Sequence, residues 1–390
     1  LYPFMFVIPN GEVYEAGDNA QTWRLNLAGA GSWTAGPTNV FGSSGFSGSA
    51  TTYRPGKIIR SGGNDPAIAR AAVIDMTAAS PQWREIDPMA FPRRRHNVVI
   101  LADGQVMAVG GTRQSDSEAL AVLEGEIWNP GSEQWTTVAP ASEGRAYHST
   151  AALLPDGRVV FAGGEMSGRN RAQIYSPPYL FKGPGPRPEI LSSPDRAAYG
   201  SSFTVSMADS RGIASVALIR AAAVTHAFDH NQRYVPLALT QSGTDLAVTA
   251  PANSNIAPPG YYMLVPVDIN GLPAIAAWVR LGMAADQQDG AIAGRVTDGD
   301  TGNPIPGATV AYSGGSTTTD PNGDYTLTGV PSGNHLVTVS AAGYGTVSKT
   351  VTVTGGAMAA LDFALSVPGT IIGQVTDNTT GNPIGGATVT

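Results

Sequence analysis

The chain has 390 residues, 42% of them hydrophobic and only 14% charged, and its 48 glycines and 29 prolines favour short strands and turns over a helical bundle or coiled coil. A net charge of −7 without any basic run argues against nucleic acid as a partner, and the lack of cysteine excludes disulfides, zinc–thiolate sites and thiol nucleophiles within this stretch. No apolar run nears the ~18 residues of a membrane-spanning helix.

The chain begins at Leu1 inside a strand-like run, Leu1 to Ile8, and stops at Thr390 partway through a repeat. It therefore reads as an excerpt of a longer protein, whose signal peptide would lie upstream. A turn followed by an apolar run then recurs four times: Pro9-Asn10-Gly11-Glu12-Val13, Arg54-Pro55-Gly56-Lys57-Ile58, Ala102-Asp103-Gly104-Gln105-Val106 and Pro155-Asp156-Gly157-Arg158-Val159. The turn glycines are 45, 48 and 53 residues apart. Gly pairs follow in three units (Gly62-Gly63, Gly110-Gly111, Gly163-Gly164), and Trp33, Trp83 and Trp135 close three. Hairpin turns, a Gly pair and a late Trp at a period of about 50 residues form the kelch pattern, one propeller blade per unit. Residues 1–182 are expected to hold the C-terminal blades, the others lying upstream.

A proline-rich linker, Lys182 to Pro188, leads into short alternating runs from Ser202 to Val279. These predict an Ig-like β-sandwich over 187–284. After the polar stretch Asp286 to Gly290 a second repeat begins. Ile292–Val310 and Ile371–Val389 agree at 14 of 19 positions. The expected units are a small β-domain over 290–366 and a truncated copy over 369–390. The fold class is all-β throughout: partial propeller, Ig-like sandwich, and a transthyretin-like sandwich with a truncated repeat.

The five histidines are His96, His148, His226, His230 and His335. Tyr147-His148 opens the fourth blade. Neighbours on a strand face opposite ways, so joint ligation needs irregular backbone or a place at the channel mouth. His226 lies between a strand and a polar turn, at a hairpin tip able to reach a neighbouring domain. Two imidazoles and a phenolate suit Cu(II) by ligand type. The bland alternative is ordinary blade and turn residues, and spacing alone does not bring His226 to His148. His96, one blade before Tyr147-His148, either lines the same mouth or is a polar residue at the start of its blade. Arg93-Arg94-Arg95 reads as solvated, with binding of an anionic or polyhydroxyl substrate as the other option. His230 reads as turn chemistry and His335 as exposed. Asp298, Asp300 and Asp320 read as surface turn acids, with Ca²⁺ as the alternative.

Residues 1–284 resemble the C-terminal part of the galactose oxidase and glyoxal oxidase family, the copper-radical oxidases. The resemblance is carried by Arg145-Ala146-Tyr147-His148-Ser149, Leu153 to Val159, Ala172 to Leu180, Ala217 to Arg220, Thr225-His226, Asn231 to Leu237 and Pro259 to Leu264. It implies a single copper near the propeller axis, with Tyr147 as axial ligand and proton acceptor and His148 and His226 as equatorial ligands. It implies Gln232 and Arg233 as anchors of the loop bearing His226. It also implies a radical on a Cys–Tyr cross-linked pair, which this chain lacks and which would lie upstream; Tyr2 is not its substitute. The implied reaction oxidises a primary alcohol or aldehyde, carbohydrate included, and reduces O2 to H2O2. The implied location is extracellular or cell-surface.

The region from Ile292 resembles carboxypeptidase regulatory-like domains, through Gly294 to Asp298, Pro304 to Val310, Thr319 to Tyr325 and Ala342-Gly343-Tyr344. Such modules imply a spacer or carbohydrate contact without catalytic residues. Two readings follow. One is an exported copper oxidase in fragment form, inactive by itself. The other is a non-catalytic surface protein binding glycans or proteins.

Overall fold

The computed structural model describes residues 4–17, 19–42, 47–164, 171–183, 185–282, 289–369 and 372–389. The expectations for Tyr2, Pro184 and residues 286–288 lie outside them. The chain is all-β, and its contacts divide it into two compact units, Leu1–Gly282 and Met283–Thr390.

The first unit opens with three four-stranded antiparallel sheets. They run from Met5–Val7 to Ser32–Ala35, from Ser49–Arg54 to Arg84–Ile86, and from Asn97–Ile100 to Gln134–Val138. The fourth sheet has three described strands, Ser149–Leu153, Val159–Gly163 and Gln173–Tyr175. Each sheet follows one sequence repeat. The four turn glycines, Gly11, Gly56, Gly104 and Gly157, all take left-handed φ, between 72° and 90°. Side chains disfavour that conformation, which explains the glycine at each hairpin. The first strands of the second, third and fourth sheets lie side by side. The sheets therefore radiate like blades, and their facing surfaces carry the core. Val99, Met107, Phe161 and Tyr179 belong to one such cluster.

The remaining strands of this unit form the sandwich. Strand Tyr234–Ser242 pairs with Ile213–Arg220 through residues Tyr234–Leu237 and with Asp245–Thr249 through Ala238–Ser242. By changing partner halfway, it folds the strand array into two layers. Val205, Leu218, Leu246, Val248, Leu264 and Val279 fill the space between. The alternation in Asp245–Thr249 buries Leu246 and Val248 and exposes the residues between them, as period two requires.

The second unit contains a two-sheet domain. Gly290–Asp298 pairs antiparallel with Asp324–Val330 and parallel with Met358–Ala360 and Phe363–Leu365. Thr309–Tyr312 and Gly333–Ser340 lie in the opposing sheet. Ile292, Val310, Tyr325, Val339 and Phe363 form the core. The second copy of the repeat forms no regular strand among its described residues. It makes one isolated bridge, Thr376 to Pro383.

Candidate functional site

Tyr147 and His148 lie in a turn immediately before strand Ser149–Leu153. His148 has φ 59°. This left-handed kink breaks the strand alternation that would send the two side chains apart, and their rings stack 3.9 Å apart.

His226 and Ala227 occupy the centre of a two-residue turn. Thr225 and Phe228 exchange backbone hydrogen bonds of 2.8 and 2.9 Å, and both central residues have positive φ, 55° and 60°. That is the turn type whose twist suits a hairpin. Phe228 then packs against Phe4, 4.5 Å between centroids, and Phe6, both of the first blade. The carboxylate of Asp229, buried beneath the turn, accepts hydrogen bonds from the backbone N–H of Ala223, Asn231 and Gln232. Burial pushes its pKa up from the ordinary value, while these bonds pull it down. The backbone of Arg233 bridges in parallel to Thr52 of the second blade. Gln232 bonds to the third blade. The turn is thereby tied to three blades.

This anchoring carries His226 to the fourth blade. Its ring centroid lies 5.0 Å from His148 and 5.7 Å from Tyr147. The Thr225 hydroxyl meets His226 Nδ1 at 2.7 Å. The structure thus brings together all three residues singled out in the sequence. Among the described residues no group of three or more His, Cys, Asp and Glu is placed to hold a metal. The phenol is what makes this a three-donor set. Two imidazoles and a phenol fit a Cu(II) ion by donor type.

Other candidates fall elsewhere. His96 does not line the mouth. It is fully buried, with Nε2 2.9 Å from the Ser61 hydroxyl, and burial beside Arg93 holds its pKa well below the ordinary value. His230 is half-buried against Phe228 and the Met5 backbone. His335 is half-buried rather than exposed, edge-on to Tyr312, with Nε2 2.6 Å from the Pro331 carbonyl. Asp298 Oδ1 caps the turn at Asp300 and Thr301, and Asp320 Oδ1 caps that at Asn322 and Asp324. Arg93 and Arg94 are buried and paired, not solvated. Asp229 is a residue that the sequence reading missed. A lone Asp in a polar turn carries no pattern, and only its three backbone partners reveal its place.

Residues 44–176 match the glyoxal oxidase N-terminus model, 187–281 the galactose oxidase-like early set domain, and 291–366 the carboxypeptidase regulatory-like domain. An aldehyde oxidase GLOX of Vitis pseudoreticulata is 30% identical over 327 residues, covering 72% of this chain and 62% of the relative. A galactose oxidase of Gibberella zeae is 29% identical over 306 residues, covering 72% and 45%. The chain thus spans about half to three-fifths of the length of these relatives. A fungal alcohol oxidase solved in complex with copper superposes with a TM-score of 0.66 at 27% identity, over 72% of this chain and 63% of that one. The chain is galactose oxidase/glyoxal oxidase-like through residues 44–176 and 187–281, and carboxypeptidase regulatory-like through 291–366.

Proposed function

We propose that this chain is the C-terminal part of an exported copper-radical oxidase, with Tyr147, His148 and His226 as the copper ligands it contributes. The observation that carries the reading is the meeting of these three rings, supplied by two domains and held by irregular backbone at His148 and His226. Thr225 engages Nδ1 of His226, which gives the ligand role to Nε2. His148 is the second imidazole. The Tyr147 phenol oxygen is the third donor and takes the proton of the substrate hydroxyl. Copper, when bound, supplies a Lewis acid for that hydroxyl and one of the two redox equivalents.

The substrate is a primary alcohol or an aldehyde, with carbohydrate as one source, and O2 leaves as H2O2. The second oxidising equivalent resides on a Cys–Tyr pair. With no cysteine among its 390 residues, this chain provides none. We infer that the propeller has further blades outside this chain. Trp83 packs against the preceding blade, donating to the Tyr14 hydroxyl at 2.8 Å, and is 6% exposed. Trp33, the corresponding residue of the first blade, is 52% exposed. The domain limits that accompany this reading are 1–182, 187–284, 290–366 and 369–390.

The deciding experiment is a Cu(II) titration of the chain followed by electron paramagnetic resonance. One ion should bind with nitrogen hyperfine structure, and His226→Ala should abolish it. Unchanged copper binding in that variant would refute the assignment. Peroxide release from this chain by itself would refute the need for an additional radical site.

A further inference from the structure

Arg93, Arg94 and Arg95 adjoin in sequence and separate in the structure. Arg93 lies fully buried against Glu126, Nη2 to Oε2 2.7 Å. Arg94 pairs with Asp65 and lies 3.7 Å from Asp116. Arg95 instead places its guanidinium carbon 4.2 Å from the centre of the Tyr147 ring. The imidazole of His148 is stacked on the same phenol, 3.9 Å between centroids and 27° from parallel. Two groups this near one ring centre cannot occupy the same face. Tyr147 is therefore sandwiched between imidazole and guanidinium.

Arg95 is itself held from several directions. Its backbone N–H donates to Ser47 O at 2.8 Å, and Nε donates to Asp116 Oδ1 at 3.1 Å. Its φ is 56°, in the left-handed region that a long side chain adopts only where the surroundings fix it. Arg95, His148, His226 and Ala227 make up four of the eight described non-glycine residues with positive φ. The uncommon backbone gathers around this one phenol. The Arg95 side chain is 19% exposed, whereas His148 on the other face of the ring is open to solvent.

We propose that Arg95 is a positioning residue for Tyr147. It clamps the phenol ring against His148 and fixes the direction in which the hydroxyl points. Arg95 comes from the turn before strand Asn97–Ile100 of the third blade, and Tyr147 from the turn before Ser149–Leu153 of the fourth. The clamp sets one blade's side chain from the neighbouring blade. Arginine suits the task because its plane stacks on the ring while its Nε edge holds the Asp116 carboxylate. The functional consequence rests on the copper reading; the clamp does not.

The test uses the full chain with ring-labelled tyrosine, first without metal. In the wild type the Tyr147 ring signals should be displaced by the stacked imidazole, and the two ring edges should exchange slowly. Arg95→Ala should lose the displacement and average the edges. Arg95→Lys, which keeps a cation over the ring, should restore part of both. Should Arg95→Ala fail to fold, Asp116→Asn releases the anchor while leaving the guanidinium, and should speed the ring flip. Wild-type ring signals and flipping in a folded Arg95→Ala or Asp116→Asn chain overturn the proposal. With Cu(II) added, Arg95→Ala should alter the resonance spectrum while affinity falls by less than about tenfold, because both imidazoles remain. A wild-type chain that binds no Cu(II) defeats the copper reading, and the metal-free arm still judges the clamp.

Discussion

The side chain of Gln232 serves as a peptide group for the third blade, its Oε1 accepting the backbone N–H of Ile100 at 2.9 Å. Its Nε2 donates to Val98 O at 2.5 Å. Both bonds are buried, and they join the loop bearing His226 to the inner strand of a blade. Gln232→Glu keeps an acceptor for Ile100 but sets a carboxylate oxygen against the Val98 carbonyl. It should cost about 1–3 kcal/mol of unfolding free energy, measured by urea denaturation. Copper affinity should fall with it. A variant with wild-type stability and affinity would show that the loop is held by its other contacts alone.

Asp229 governs the same loop from within. Asp229→Ala orphans three backbone donors, at Ala223, Asn231 and Gln232. The expected loss is about 2 kcal/mol or more. Asp229→Asn can still accept from Asn231 and Gln232 through Oδ1, but presents an amino group to the N–H of Ala223. It should fall between the wild type and Asp229→Ala. Amide hydrogen exchange at those three positions is the direct measurement. Equal protection in all three proteins would remove Asp229 from this role.

His96 makes the fold acid-sensitive. Burial, then the nearby Arg93 charge, holds its folded pKa well below the ordinary value. The unfolded imidazole takes up a proton below about pH 6.5 while the folded one does not. The associated stability is therefore fully present above that pH. It is lost as pH falls, by up to about 1.4 kcal/mol per pH unit, until the folded pKa is reached. In denaturation series from pH 7 to 5, His96→Gln should show a shallower decline than the wild type. Parallel declines would contradict the assignment.

The blades were legible because their signals are local. A turn glycine, an apolar run and a Gly pair lie within one hairpin, and strand alternation follows from burial of one face. The site was legible in part. Tyr147-His148 adjoins the strand that it precedes, but its meeting with His226 depends on how a sandwich loop packs on three blades, and no spacing encodes that. The resemblance to known oxidases supplied the pairing. For His96 the repeat position left two readings open, a mouth residue or a polar residue at the start of its blade, and it gave no sign of Arg95. The left-handed φ of Arg95 redirects its side chain onto Tyr147, and His96 turns inward to Ser61. Periodicity assumes regular backbone, and this is where the backbone is irregular.

The duplicated segment separates what nearby residues determine from what a core determines. In the first copy Gly302 N–H donates to Asp298 O and Ile305 N–H to Val296 O, beside the Thr297–Pro304 bridge. In the second copy Gly381 N–H donates to Asp377 O and Ile384 N–H to Val375 O, beside the Thr376–Pro383 bridge. The turn is therefore written into the residues it contains. The flanking strand is not: Val296 is fully buried in the core with Tyr325, Val339 and Phe363, whereas its counterpart Val375 in the second copy is 40% exposed. A turn without buried apolar surface has little to oppose its conformational entropy. In hydrogen exchange on this chain, the amides of Gly302 and Ile305 should be strongly protected, and those of Gly381 and Ile384 should exchange near the unprotected rate. Comparable protection in the two copies would mean that the turn sequence suffices to hold its own bonds, and the core would then be needed only for the strands.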